Sequence, residues 1–312
     1  MNGRQVAVIA AFLALAGCER APPPPEGPAP EVGPIVVYAP AGASAPLTAA
    51  FEAYTADTGV RVSARFDDSD ANVSAVIERR DDPPADLLVT ADVHGIWLAG
   101  MEGALRPTPR DLAAVPGDPD GAWIAIAVRK AVLVYDARAV GPGTVRSYED
   151  LASESLKGRV CVLSSAQPLS RTVVANMIAR LGARPAERAV RGWLANLAAP
   201  PFGSEDALVA AIAGGDCAIG IVGQSAGADE RTGLLRYVEP PVPAVEITGA
   251  GIGRHAHSPE GAAGLLAWLA DHAALPGATR AAGLDAESAN TLSAGGWGAA
   301  DAVKLAERAG YR

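Results

Sequence analysis

The chain has 312 residues, of which 49% are hydrophobic, 20% charged and 5% aromatic, with 34 Gly and 25 Pro. At roughly 150 residues per domain this predicts about two globular domains and excludes a disordered polymer, a coiled coil or a mini-scaffold. Twenty-six Lys and Arg against thirty-five Asp and Glu leave a net charge of −9 with no basic run, which excludes a phosphate-backbone partner, so no nucleic acid is expected.

The first residues read as an address. One basic residue, Arg4, precedes the apolar run 6–16, which ends in Leu15-Ala16-Gly17-Cys18. The run is too short to cross a hydrocarbon core of ~30 Å and has the proportions of a secretory signal. Its end resembles the lipobox of bacterial lipoproteins, which implies removal of residues 1–17 and lipidation of Cys18, a membrane anchor once a further acyl chain is added. An ordinary signal peptide followed by an accidental cysteine is the competing reading. After Cys18, residues 19–34 carry Pro22 to Pro25, Pro28, Pro30 and Pro34. Such a stretch runs as extended polyproline II and at ~3.1 Å per residue reaches ~50 Å, so 18–34 reads as a tether to a domain that begins near Ile35.

From there strands and helices alternate. Residues 35–38 (IVVY) predict a buried strand and 45–58 an amphipathic helix closed by Gly59. Residues 60–66 alternate as a strand, 73–80 are helical, 85–90 read as a buried strand, and 93–101 as a short helix before Gly103. This order predicts a doubly wound α/β lobe. Beyond a Pro/Gly-rich stretch at 107–121, residues 123–128 and 131–135 read as two adjacent strands crossing between lobes. A second α/β unit follows: strand 160–163, helices 170–181, 185–196 and 205–213, and buried strand 217–222. Residues 237–242 and 247–252 read as strands returning to the first lobe, 259–272 as a helix and 299–309 as the terminal helix.

Several blocks then combine in a recognisable order. They are Val37-Tyr38, Ala50-Phe51-Glu52 through Thr58-Gly59-Val60-Arg61-Val62, Pro84-Ala85-Asp86-Leu87, and Trp123 to Arg129 with Val134-Tyr135-Asp136. The series continues with Tyr148-Glu149-Asp150-Leu151, Leu156 to Val162, Ala195-Asn196-Leu197-Ala198 before Pro200-Pro201, and Ala213 to Ile219. Together they resemble the periplasmic substrate-binding proteins of ABC importers, in particular the ferric-iron-binding branch of the extracellular solute-binding proteins. The resemblance implies a type II two-lobed fold, each lobe a doubly wound mixed sheet, joined by a hinge of two strands near 127–130 and 237–242. It divides the chain into 35–128 plus 240–275 and 129–239 plus 276–312. It further implies a monomer in the periplasm or at the cell surface that closes on a small molecule or ion and delivers it to a permease and its ATPase, with no resident cofactor.

One departure bears on the cargo. Ferric iron prefers anionic oxygen ligands, and the branch supplies two adjacent tyrosines from the loop after the penultimate strand of the second lobe. Here that loop reads Val222-Gly223-Gln224-Ser225-Ala226-Gly227, with Ser225 and Ala226 at the tyrosine positions. The loop after Tyr38 has neither His nor Tyr, Ala91 stands where an acidic ligand is usual beside Asp92, and Leu169 replaces another tyrosine. No metal ligand is therefore carried over. The loops instead offer Ser44, Thr90, Asp92, Arg129, Ser164, Ser165, Gln167, Ser170, Arg171, Gln224 and Ser225. Residues 164–170 lead into a helix, so their hydroxyls and free N–H groups suit an anion, with Arg129 and Arg171 as charge partners. Ser170 as a plain N-cap with a solvated Arg171 is the competing reading. The expectation is a polar or anionic solute, or a metal held by its chelator. Iron(III) on non-tyrosine ligands, an oxyanion cargo, and a scaffold or sensor that has lost transport stay open.

Gly223-Gln224-Ser225-Ala226-Gly227 also satisfies G-x-S-x-G after a buried strand, which nominates Ser225 as a hydrolase nucleophile with Asp229 or Asp271 and His255, His257 or His272. His255 and His257 read better as a polar loop, His94 as a helix-start packing residue, and Asp67, Asp68 and Asp70 as a solvated loop. The resemblance explains the serine loop without chemistry, and no enzyme is expected. With Cys18 lipidated, Cys161 and Cys217 remain. An even remainder permits a disulfide, and relatives with cysteines at both places support it; two buried free thiols are the alternative.

Overall fold

The structure is a computed structural model that describes residues 33–312 apart from 81, 113–114, 225–232, 276–277 and 282–299. The signal segment, Cys18 and most of the tether lie outside the described residues, as does Ser225. Strand β1 (Ile35–Pro40) is apolar almost without interruption because it is buried between two parallel neighbours, β2 (Val62–Asp67) and β3 (Leu87–Thr90). The edge strand β2 alternates instead, with one face open. Helix α1 (Ser44–Thr58) buries Leu47, Phe51 and Tyr54, one stripe at helical spacing, and ends where Gly59 turns left-handed at φ 75°. Helix α2 (Ser69–Ile77) starts earlier than the pattern suggested, because Asp68 accepts the Ala71 N–H and caps it. Asp68 is thus a cap, not part of a solvated loop. Helix α3 (Val93–Met101) follows β3.

The two strands expected at 123–128 and 131–135 are one continuous strand, β4 (Ile124–Asp136). Arg129 and Lys130 interrupt its apolar run, and there its partners change. Ile124–Lys130 pair with β7 (Val245–Ile252), whereas Ala131–Asp136 pair with β5 (Ile219–Gly223) and β6 (Leu235–Val238). The sheet order is β2-β1-β3-β7-β4-β5, with β6 and the short β8 (Thr279–Arg280) also on β4. Residues 237–242 do not form a strand returning to the first lobe: β6 ends at Val238 inside the second sheet, and the return is made by β7. Likewise β8, expected on the second lobe, pairs with Ala127 and Val128 of the first sheet.

Each lobe has its own core. On one face of the first sheet α1 and α7 (Pro259–His272) pack around Ile35, Val37, Leu87 and Leu265; on the other, α2 and α3 enclose Tyr38, Val73, Leu88 and Ile96. This two-faced cover is the doubly wound arrangement. The second core gathers α4 (Pro168–Leu181), α5 (Ala183–Ala195), α6 (Glu205–Gly214) and the terminal helix α8 (300–309) around Leu133, Val160, Val173, Trp193 and Leu305. Residues 160–163 contribute bridges, not a strand: Val160 pairs with Leu197 and Ile219, and Leu163 with Phe202. Cys161 and Cys217 are joined by a disulfide that ties this segment to the start of β5. Among the described residues no helix is long and apolar enough to cross a membrane.

The hinge is fastened from the second core. Tyr148, fully buried, donates its hydroxyl to Ala131 O at 2.8 Å and accepts from Ala244 N at 2.9 Å, so one phenol holds both connecting segments where they change lobe. Burial pushes the Tyr148 phenol far above its ordinary range, so it stays neutral. Trp193 Nε1 donates to Tyr148 O at 2.7 Å.

Candidate functional site

Polar groups from both lobes meet at the ends of the strands. In the first lobe Asp92 follows β3, accepts the Gly95 N–H at 3.0 Å as the cap of α3, and is 2% exposed. Thr90 is also buried, its hydroxyl donating to Asp92 O. Ser44 occupies the first turn of α1 after β1. From the second lobe, Arg171 on α4 reaches Asp92 at 2.6 Å and Asp70 at 3.1 Å. Burial opposes the charge of Arg171, but the two carboxylates outweigh it and hold the guanidinium above its ordinary range. Arg171 is therefore not solvated, and Asp70 belongs to an ion pair.

Ser170 is not the N-cap of α4. Pro168 opens the helix, Gln167 stands at the cap without a side-chain bond, and Ser170, inside the first turn, meets the Tyr311 hydroxyl at 3.0 Å. Tyr311 also donates to Leu163 O at 2.5 Å, and burial pushes its phenol up to about 12. Ser164 accepts the Ala166 N–H, and Gln167 Nε2 donates to Gly203 O. Ser165, Ser170, Arg171, Glu307 and Tyr311 are among the residues lining a cavity of about 170 Å³ between α4 and α8. Pro168 has no N–H, and the Gln167 and Arg171 N–H groups donate to Ser164 O and Gln167 O, so at this end only the Leu169 and Ser170 N–H groups lack an intrahelical acceptor and are left for an anion.

Arg129 lies elsewhere. It is held in the hinge by Glu246 at 2.6 Å and Glu205 at 2.7 Å, while Glu205 also accepts the Gly223 N–H at 2.8 Å. A Cβ on Gly223 would sit 2.3 Å from Arg129 Cζ, so any larger residue there would displace the guanidinium from its present place. Burial pushes Glu246 up to about 7 despite Arg129 beside it. Arg129 is thus a hinge residue compensated by two carboxylates; it shares no ion pair with the Arg171 cluster, although the Asp92 charge is near enough to help raise Glu246. Gln224 follows β5, its N–H donating to Lys130 O. Sequence reasoning missed Glu205, Glu246 and Tyr311. Their partners Arg129, Ser170 and Leu163 are 76 to 148 residues away, and no local pattern marks such pairings.

Ser225 and Asp229 of the hydrolase constellation lie outside the described residues. His255 and His257 are exposed in the turn before α7, His272 stacks on Trp268 and uses Nδ1 on the Trp268 carbonyl, and His94 stacks on Trp97. Among the described residues no group of three or more His, Cys, Asp or Glu is placed to hold a metal ion.

With this geometry in hand, the comparisons with known proteins are specific. Residues 35–281 match the model of the bacterial extracellular solute-binding proteins. The chain belongs to that family. Over 168 residues it is 29% identical to iron uptake protein A1 of Synechocystis sp., covering 52% of this chain and 47% of that one. A second relative, iron uptake protein A2, is 30% identical over 141 residues and 40% covered, so the chain spans about half the length of the curated relatives it matches or less. Among solved structures, a Trichodesmium protein in complex with iron and citrate ligands superposes with a TM-score of 0.73 at 24% identity, over 90% of this chain and 100% of that one. An apo ferric ion-binding protein A from Pasteurella haemolytica gives 0.78 at 22% identity, over 89% and 98%. These likenesses establish the two-lobed periplasmic binding protein fold.

Proposed function

We propose that this solute-binding protein captures iron(III) as an anionic chelate in the interlobe cleft and presents it to an ABC permease and its ATPase. One observation carries the reading: the start of α4 offers hydroxyls and helix N–H groups, while the tyrosine beside them, Tyr311, is buried, bonded to Leu163 O and Ser170, and kept neutral. Of the six tyrosines in the chain, Tyr38, Tyr148 and Tyr311 donate their hydroxyls to backbone carbonyls, Tyr54 packs edge-on to Trp268 in the first core, and Tyr135 and Tyr237 lie in β4 and β6. Burial keeps the phenols of Tyr148 and Tyr311 neutral and unsuited to ligate iron. The iron uptake relatives, and a structural neighbour holding iron with citrate, support iron as cargo; the chemistry of this cleft favours iron that arrives with its own oxygen ligands. Binding needs no catalytic group, and iron is cargo, not a cofactor.

The cargo would sit against the start of α4, where Ser164, Ser165 and the Leu169 and Ser170 N–H groups meet its carboxylates. A periplasmic monomer, tethered through Cys18 and residues 18–34, completes the proposal. Ferric citrate titrated into the protein should give saturable one-to-one heat and no visible phenolate-to-iron charge-transfer band. Iron-free citrate should bind about tenfold more weakly or worse, and Ser165→Asp should weaken ferric citrate by about tenfold. A visible charge-transfer band, or capture of iron with the citrate left in solution, overturns the chelate reading.

A further inference from the structure

We propose that Arg171 is an interlobe latch that holds the cleft shut without cargo. Its helix belongs to the second lobe: Leu169, Val173, Val174 and Met177 of α4 are all buried in that core. Its partners belong to the first, since α2 and α3 bury Val73, Val76, Val93 and Ile96 in the core around Tyr38. The guanidinium therefore bridges two separately packed bodies, across 79 residues of sequence to Asp92 and 101 to Asp70. The bridge is sheltered, with the Arg171 side chain 13% exposed and that of Asp92 4%. Water competes weakly for such a pair, and salt screens it less than a surface pair.

The geometry also fixes a division of labour. Asp92 is rigid, because Oδ1 is committed to the Gly95 N–H while Oδ2 takes the guanidinium. Asp70 is 58% exposed at its side chain and serves as the outer, weaker contact. Opening the lobes must pull Arg171 from both carboxylates and so gives up a sheltered ion pair and its charge-assisted hydrogen bonds, which disfavours the open form. A binding protein otherwise relies on cargo to join its lobes; here a side chain of the protein makes that bridge itself. The latch is independent of what the cargo is, and it is tested on cargo-free protein.

The test measures the interlobe distance on the full chain, purified in detergent. A keto-bearing amino acid replaces exposed Glu52 on α1 and Arg188 on α5, each carrying a nitroxide, so that the disulfide is untouched. Electron double resonance on the otherwise unaltered protein should give one narrow distribution. The double variant Arg171→Gln/Asp92→Asn keeps a competent cap for α3 and leaves no buried charge unpaired, since Asp70, which also loses its partner, is solvated, so it should fold; its distribution should broaden and shift to longer distance. Asp70→Asn should shift it the same way by less. Arg180→Gln removes an ion pair to Glu149 that lies within the second lobe, and should change nothing. An unchanged distribution in the double variant, or an equal shift in Arg180→Gln, overturns the latch.

Discussion

Replacing Cys161 and Cys217 by Ala should lower the unfolding free energy by ~4 kcal/mol, the loop-closure value for a 56-residue loop. The bond closes the second lobe on itself. Cys161 lies in the segment whose Val160 bridges both Leu197 and Ile219, its own N–H donates to Ile219 O, and Cys217 leads directly into β5. Both cysteines are buried and held in place by the surrounding backbone bonds, so the folded geometry survives the substitution and the loss falls on the unfolded side. Urea melts with and without reductant read the effect, and reductant should leave the Ala variant unmoved. A loss under ~1 kcal/mol would place the constraint elsewhere, in residual structure of the unfolded chain.

Arg129→Met is expected to cost about 3 to 5 kcal/mol, because it leaves Glu205 and Glu246 facing each other at the hinge without their counter-charge. The cost should depend on pH, and the sign follows from Glu246. Its carboxyl is pushed up from the ordinary 4.5 to about 7, so between these values the folded protein holds a proton that the unfolded chain has released. Stability from this group is therefore present at low pH and is lost as pH rises through that window. Removing Arg129 takes away the charge that favours the ionised form, so the decline should extend to higher pH. Glu246→Gln should flatten the decline and, combined with Arg129→Met, recover much of the loss. Thermal melts from pH 5 to 8 on the three variants test this; a pH-independent cost would show that packing, not charge, sets it.

The fold was legible because its signals are local. Apolar runs, glycine stops and blocks of resemblance place β1, α1, β3, α3, α6 and α7 within a few residues of their observed bounds. Where two polar residues break an apolar run, as Arg129 and Lys130 do, sequence reasoning splits one strand into two; the backbone continues because its hydrogen-bond partner changes from β7 to β5 at that point. The site was legible as a set of loops but not as a set of pairs. Arg129 and Arg171 both stood out as cations near the cleft, yet their carboxylates come from distant elements, and those contacts give one to the hinge and the other to the interlobe bridge. Asp70 shows the limit from the acidic side: its sequence neighbourhood is that of a solvated loop, and only the approach of α4 makes it a partner.

Native mass spectrometry of the protein purified from iron-replete cells without added chelators reads the cargo itself. A population should carry one added mass that contains iron together with an organic or oxyanion ligand. An adduct of iron alone, or a protein that stays bare after equilibration with ferric citrate, would contradict the chelate reading.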